Sequence, residues 1–85
     1  MKEIKFFYTH WCKHCKKMLP QMQSLSNKGY NVNLIDADDY SSIADKYKIE
    51  RIPTFVLEDK GFEIQRWNGR TEPDEVIKKL TYTKR

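Results

Sequence analysis

The sequence predicts an α/β domain whose elements follow the order β-α-β-α-β-β-α. The chain has 85 residues, which is enough for one modest core and too few for two, so we expect a single domain over residues 1–85. An apolar segment, a segment of helical periodicity and a second apolar segment follow one another near the start, as in a right-handed strand–helix–strand unit. The turn Asp59-Lys60-Gly61 then separates two strand patterns and predicts an antiparallel hairpin.

The first strand and the first helix carry the clearest patterns. The strand from Ile4 to Thr9 is apolar on both faces, which indicates a central strand covered on both sides. The helix runs from about Cys12 to the region of Asn27, where Gly29 can supply a left-handed cap. We expect Pro20 to kink this helix, because proline has no N–H to donate and its ring clashes with the preceding turn.

The remaining elements follow from shorter patterns. In chain order we expect a second strand at Val32–Ile35, a turn over 36–41, a short helix at Ser41–Lys48, a loop at Ile49–Pro53, strands at Thr54–Glu58 and Phe62–Asn68, a final helix capped by residues 71–74, and a frayed tail over 81–85. Trp67 breaks the alternation of the fourth strand, so either a bulge or an exposed aromatic ring is expected there. Val76, Ile77 and Leu80 of the last helix are predicted to dock on the sheet.

Cys12 and Cys15 are the residues with the most obvious chemistry. Cysteines three apart in the first turn of a helix are neighbours on one face, within the range that a disulfide can bridge. The unpaired N–H groups and partial positive charge of the helix start favour a thiolate over a thiol. Lys13, His14 and Lys16 add positive charge. These features predict a dithiol that opens and closes.

The apolar stripe of the helix suggests a role for each sulfur. Cys15 lies deeper on the stripe that faces the core, and Cys12 lies at its exposed mouth. We therefore assign Cys12 as the attacking nucleophile and Cys15 as the resolving thiol. The alternatives are two incidental core cysteines or a structural disulfide, but so short a loop gains little stability from closure.

Charge and hydropathy narrow the functional class. The net charge of +4 comes from basic residues spread along the chain among acidic ones, without a basic stripe interleaved with aromatics, which argues against nucleic acid. The basic excess beside the cysteines would speed association with acidic partner proteins. No apolar run approaches the roughly 18 residues of a membrane span, and no signal-peptide pattern is visible, so we expect no membrane association and a reducing cytoplasm.

Four landmarks in register resemble the thioredoxin/glutaredoxin superfamily, over nearly the whole chain. The segment Trp11-Cys12-Lys13-His14-Cys15-Lys16 is similar to the Trp-Cys-Gly-Pro-Cys-Lys site of thioredoxins. Pro20 matches the family's helix-kinking proline. Ile52-Pro53-Thr54 resembles the segment that carries the family's cis-proline, and Gly61 and Gly69 fall where thioredoxins have their hairpin and groove glycines.

The resemblance implies a thioredoxin fold in its minimal form. Its sheet would have four strands in the order 2-1-3-4, with helices on both faces and the dithiol just past the end of the first strand. Pro53 would be cis and lie against the cysteines, although a simple strand-start proline is the alternative. The backbone of Ile52 would pair with an extended partner segment. Trp11, Lys13 and Gly69 would complete the surface that contacts the substrate.

Two departures from the family pattern bear on the chemistry. Thioredoxins carry a buried acid at the position of Phe6 and a lysine near the position of Leu34, and this chain has neither. Proton transfer to the resolving cysteine must therefore rely on water, on His14 or on another carboxylate. A histidine directly before the resolving cysteine resembles the oxidising periplasmic disulfide-forming enzymes. Its positive charge would stabilise the Cys12 thiolate and raise the reduction potential, unless His14 simply faces solvent.

Protein-disulfide reduction is therefore the predicted activity. A disulfide-containing protein would be the substrate and a thioredoxin reductase-like flavoprotein the electron donor, with a monomeric enzyme and no bound cofactor. A glutaredoxin that uses the glutathione system is the first alternative. Arg51 and Arg70 could attract the glutathione carboxylates, but Ile52 before the proline and the single glycine in 68–74 depart from that family's pattern.

Two further classes remain open at this level. The first is a metal or iron–sulfur module that uses Cys12, Cys15 and either His10 or His14. Two cysteines make only half of a four-thiolate site and no second C-x-x-C exists, so the sequence predicts no metal site. The second is a non-catalytic module that binds a partner.

Overall fold

The structure is a computed structural model that describes residues 1–81. Its elements are β1 Lys2–Tyr8, α1 Lys13–Asn27, β2 Val32–Asp36, α2 Ser41–Lys46, β3 Thr54–Asp59, β4 Phe62–Asn68 and α3 Pro73–Thr81. The predicted element order is confirmed. Of the predicted tail, Thr81 is the last residue of α3, and residues 82–85 lie outside the described part of the chain.

The four strands form one mixed sheet in the order β2-β1-β3-β4. β1 is parallel to β2 and antiparallel to β3, and β3 and β4 form the antiparallel hairpin. β1 is central, with Ile4, Phe6 and Phe7 fully buried because both faces of the sheet are covered. The predicted fold class and strand order are confirmed.

The core consists of one hydrophobic cluster on each face of the sheet. The larger cluster joins the sheet to α1 and α3 and contains Ile4, Phe6, Met18, Met22, Leu25, Val32, Phe55, Leu57 and Val76. The smaller cluster lies beneath α2 and contains Phe7, Ile35, Ala44 and Val56. Side chains alternate between the faces of a strand, so Phe6 and Phe7 enter different clusters. Ile77 and Leu80 pack at the margin of the larger cluster, as predicted for α3.

A bulge in β4 explains the broken alternation at Trp67. Leu57 pairs with Gln65 but Glu58 pairs with Glu63, so Ile64 is the extra residue. The Trp67 ring stacks on Phe55, with centroids 5.2 Å apart and planes 7° apart. The predicted bulge is therefore confirmed, and Trp67 is half-buried.

The ends of two helices follow from local hydrogen bonds. After α1, Gly29 has a φ of 98° and Tyr30 N–H donates to Leu25 O at 3.1 Å, which confirms the predicted left-handed cap. α2 ends two residues earlier than predicted because Lys48 adopts a left-handed φ of 54° and Ile49 N–H donates back to Ala44 O. α1 continues through Pro20, and the kink there stays a prediction.

None of the three described helices has the length and apolar character needed to cross a membrane.

Candidate active site

Four chain segments meet at one edge of the sheet. The parallel strands β1 and β2 end together, with Tyr8 opposite Asp36. β3 is antiparallel to them and begins there at Thr54, and the last residue of β4, Asn68, pairs with Thr54. We call this the dithiol edge. It carries the segments 9–15, 36–39, 52–53 and 68–69.

Cys12 is the N-cap of α1 (φ −83°, ψ 118°). Its Sγ accepts a hydrogen bond from the backbone N–H of Cys15 at 3.3 Å, in the way that a serine or aspartate side chain caps a helix. The first turn of α1 contains no acidic residue, so no carboxylate of that turn competes with the sulfur for the positive end of the helix dipole. The N-terminus of a helix is a position that favours negative charge.

The two cysteines differ in burial. Both are free thiols, and Cys15 is 1% exposed whereas Cys12 is 7% exposed. The prediction that Cys15 lies deeper is confirmed. The prediction that Cys12 lies at an exposed mouth is wrong, because the N-cap position turns most of its surface towards the protein. Little of the Cys12 surface is therefore accessible from solvent.

Burial raises the pKa of the Cys15 thiol to about 12, and its hydrogen bond with Cys12 adds to this. A backbone hydrogen bond with Thr9 acts in the opposite direction. At neutral pH Cys15 is consequently a protonated thiol and a poor nucleophile. In any thiol exchange Cys15 would have to lose its proton before it could attack.

The basic residues of the motif point away from the core. Lys13 and His14, which lie between the cysteines, are exposed, as is Lys16 one residue beyond them. The described structure gives the His14 side chain no hydrogen bond or ion pair. His14 therefore faces solvent, which is the alternative to a tuning role that the sequence left open, and only its charge near Cys12 could still act on the potential.

Trp11 presents a large apolar surface beside Cys12. Its side chain is 69% exposed, and its indole Nε1–H donates to Asp38 Oδ2 at 2.9 Å. The hydrogen bond fixes one edge of the ring to the segment after β2, which leaves the rest of the ring free for contact.

Pro53 and Gly69 form the opposite side of the dithiol edge. The Ile52–Pro53 peptide bond is cis, as the resemblance implied, and Pro53 is buried. Gly69 has a φ of 89°, which favours glycine, and its N–H donates to Pro53 O at 3.1 Å. Within residues 1–81 no hydrogen bond involves the backbone of Ile52. Its N–H and C=O are therefore available to another chain.

A buried carboxylate that sequence reasoning did not single out lies beside the dithiol segment, and it is Asp36. Its side chain is 4% exposed, and its Oδ1 accepts the N–H groups of Asp38 and Asp39 at 2.9 and 3.2 Å. His10, which the sequence suggested was only an exposed loop residue, has Nε2 2.8 Å from Asp36 Oδ2. The available signal was the end of β2, because parallel strands bring the residues that follow them to one edge.

Comparisons with known proteins agree with this geometry. The thioredoxin family model matches residues 4–82. The chain belongs to the thioredoxin family. It is 35% identical over 77 residues to thioredoxin Y of rice chloroplasts, 33% identical over 76 residues to an H-type thioredoxin of Fagopyrum esculentum, and 30% identical over 77 residues to a thioredoxin of Chlamydia trachomatis. These alignments cover 87%, 87% and 88% of this chain.

Solved thioredoxin structures share the fold. Thioredoxin 1 of Thermosipho africanus superposes with a TM-score of 0.75 at 30% identity, covering 92% of this chain and 89% of that one. A thioredoxin of Nicotiana alata superposes with a TM-score of 0.76 at 33% identity, covering 93% of this chain and 70% of that one. Among sequence relatives, however, this chain spans only 46% of the rice protein and 65% of the Fagopyrum protein, and 76% of the Chlamydia thioredoxin.

Proposed function

We propose that this protein reduces disulfide bonds in other proteins, through Cys12 as nucleophile and Cys15 as resolving thiol. One observation supports the proposal above all others. Cys12 caps a helix whose first turn has no acidic residue and accepts the Cys15 N–H, while burial keeps Cys15 protonated at neutral pH. This asymmetry is what a two-step exchange requires, because one sulfur must attack first and the other must wait.

In the first step the Cys12 thiolate attacks one sulfur of the partner disulfide. A Cys12–partner S–S bond forms, the partner's own S–S bond breaks, and its second sulfur leaves as a thiolate that takes up a proton. In the second step Cys15 loses its proton and attacks the Cys12 sulfur, which releases the first partner sulfur as a thiolate. The partner disulfide gains two electrons, and Cys12 and Cys15 become a disulfide.

The proton of Cys15 must leave without the acid that thioredoxins carry in β1. Phe6 fills that position with a fully buried apolar ring. The backbone hydrogen bond with Thr9 lowers the pKa of Cys15 and stabilises its thiolate once it forms. We propose that water admitted with the partner accepts the proton, with exposed His14, which directly precedes Cys15, as the nearest histidine in sequence.

The partner would bind as an extended segment beside the cis-proline. The backbone of Ile52 has both polar groups available, and such groups pair with a partner strand by β-augmentation. Trp11 offers exposed apolar surface, Gly69 leaves room for a backbone to approach, and Lys13 favours acidic partners. These four residues and Pro53 form the proposed substrate-binding surface.

The electron donor we propose is a thioredoxin reductase-like flavoprotein, in the cytoplasm, with the protein acting as a monomer. The relatives found are thioredoxins from plants and bacteria, which supports a reductase of that kind as the donor. Coupled assays with thioredoxin reductase and NADPH, or with glutathione and its reductase, separate this donor from the glutathione system.

Insulin reduction tests the activity itself. With dithiothreitol as donor, the wild-type protein should accelerate precipitation of the insulin B chain, and Cys12→Ser should lower the rate to that of dithiothreitol alone. Lys17→Ala, which removes an exposed side chain of the same helix outside the dithiol, is the matched control and should keep the rate. Equal rates for Cys12→Ser and wild type would refute the proposed function.

A further inference from the structure

A second cluster of chemically active side chains lies beside the dithiol and is not used by the proposed exchange. His10 Nε2 and one carboxylate oxygen each from Asp36 and Asp39 lie within 4.8 Å of one another. His10 precedes Cys12 by two residues, and both aspartates belong to the segment after β2. Two chain segments 26 residues apart are thus brought together by the parallel pairing of β1 and β2.

The buried oxygen of Asp36 points to a positive charge at the cluster. Oδ1 is satisfied by the N–H groups of Asp38 and Asp39, whereas Oδ2 is shielded from solvent and accepts no hydrogen bond from the described residues. A buried carboxylate oxygen without compensation is unfavourable, so a positive charge is expected against it, supplied either by His10 in its ion pair or by a cation that both side chains bind. The His10 ring is 75% exposed, with Nε2 only 2.8 Å from Oδ2.

We propose that His10, Asp36 and Asp39 bind a divalent transition-metal ion, for which zinc is the best match. Zinc commonly takes imidazole nitrogen and carboxylate oxygen, each at about 2.0–2.2 Å, and often keeps water in a remaining position. Magnesium and calcium prefer oxygen ligands alone, so the imidazole selects against them.

The spacing of the three donors suits such an ion. Two ligand atoms on a tetrahedral zinc are about 3.3 Å apart when each bond is about 2.0 Å. The 2.8 Å between His10 Nε2 and Asp36 Oδ2 is shorter than that value, and all three donor atoms lie within 4.8 Å of one another, so small side-chain rotations would bring them to one ion. Asp36 is held by two backbone N–H groups, and Asp39 is exposed and free to close on the ion by rotation.

The position of the site connects it to the surface that meets the partner. Asp38, which lies between the two proposed aspartate ligands, accepts the indole N–H of Trp11. An ion that orders residues 36–39 would therefore also order Trp11. The proposed site is separate from the two sulfurs, so it does not depend on the disulfide-exchange function.

Zinc titration of the Cys12→Ser/Cys15→Ser protein tests the site without interference from the dithiol. Isothermal calorimetry should show one zinc ion per chain. His10→Ala and Asp39→Asn, both at exposed positions, should each weaken binding by about tenfold to a hundredfold. His14→Ala is the matched control, because His14 is the chain's other histidine and lies outside the cluster. The Trp11 indole signal in an amide correlation spectrum should shift on zinc addition.

Several results would overturn the proposal. These are the absence of saturable binding, equal affinity in the His10→Ala protein, a comparable loss with His14→Ala, or displacement of zinc by an equal concentration of magnesium. In the first case the ion pair between His10 and Asp36 is all that the cluster holds, and in the last the cluster attracts cations through charge alone. Loss of insulin reduction in Cys12→Ser bears on the dithiol and leaves this test unaffected.

Discussion

The contrast between the two thiols can be tested by alkylation of the reduced protein. Burial and the contact with Cys12 raise the pKa of Cys15 to about 12. At pH 8 its thiolate fraction is therefore about 10⁻⁴, whereas a thiol with the ordinary pKa of about 8.5 has about a quarter of its population ionised. The thiolate alone reacts, so Cys15 should be alkylated about a thousandfold more slowly than a free cysteine. Its 1% exposure slows the reaction further.

The assay is a time course with iodoacetamide at several pH values, followed by mass spectrometry of the peptide that contains both cysteines. Between pH 6 and pH 9 we expect a single adduct, on Cys12. Cys15 should become reactive only as the pH approaches 12 or the protein unfolds. A denatured sample, in which both thiols react, is the control. Equal modification of the two cysteines at pH 8 would refute the assignment of roles.

Three further outcomes are expected. The Cys15 thiol ionises at about pH 9 in the unfolded chain and at about pH 12 in the folded one, so the reduced protein should lose up to about 4 kcal/mol of folding stability between these pH values. The same dependence of stability on pH in the Cys15→Ser protein would contradict this. His14→Gly should lower the reduction potential by on the order of 10–20 mV, because a positive charge near the thiolate is lost, and an unchanged equilibrium with glutathione would remove His14 from the mechanism. Glu58→Gln should lower the free energy of unfolding in urea by about 2–3 kcal/mol, because the largely buried Lys5, 2.5 Å from Glu58, then keeps only Glu3 as an ion-pair partner. Glu63→Gln, which breaks an exposed ion pair with Arg66, should lower it by under about 1 kcal/mol.

The fold was predictable because each element carries its own local pattern. The apolar character of 4–9 indicated the central strand, and Gly29 marked the end of α1. The bulge at Ile64 was foreseen as one of two explanations for Trp67, and the stacking on Phe55 decides between them. The early end of α2 was not predicted, because lysine seldom adopts the left-handed conformation that Lys48 has there.

The parts of the site that were not predicted depend on contacts through space. The exposure of Cys12 was overestimated because helical periodicity places residues on a face and does not show what covers the N-cap. The approach of His10 to Asp36 requires both the parallel register and the turn after β2, neither of which is visible in a motif. Asp36 itself could have been suspected, as a carboxylate at the end of a strand parallel to the one that carries the dithiol.

The separate roles of the two sulfurs can be tested most directly by trapping the mixed disulfide. Cys15→Ser and Cys12→Ser proteins, each reduced, would be mixed with a peptide disulfide, and the adducts counted by mass spectrometry. We expect a stable adduct on Cys12 in the first protein, because nothing resolves it, and almost none on Cys15 in the second. An adduct forming equally fast on Cys15, or repeated turnover by Cys15→Ser, would contradict the assignment of Cys12 as nucleophile and Cys15 as resolving thiol.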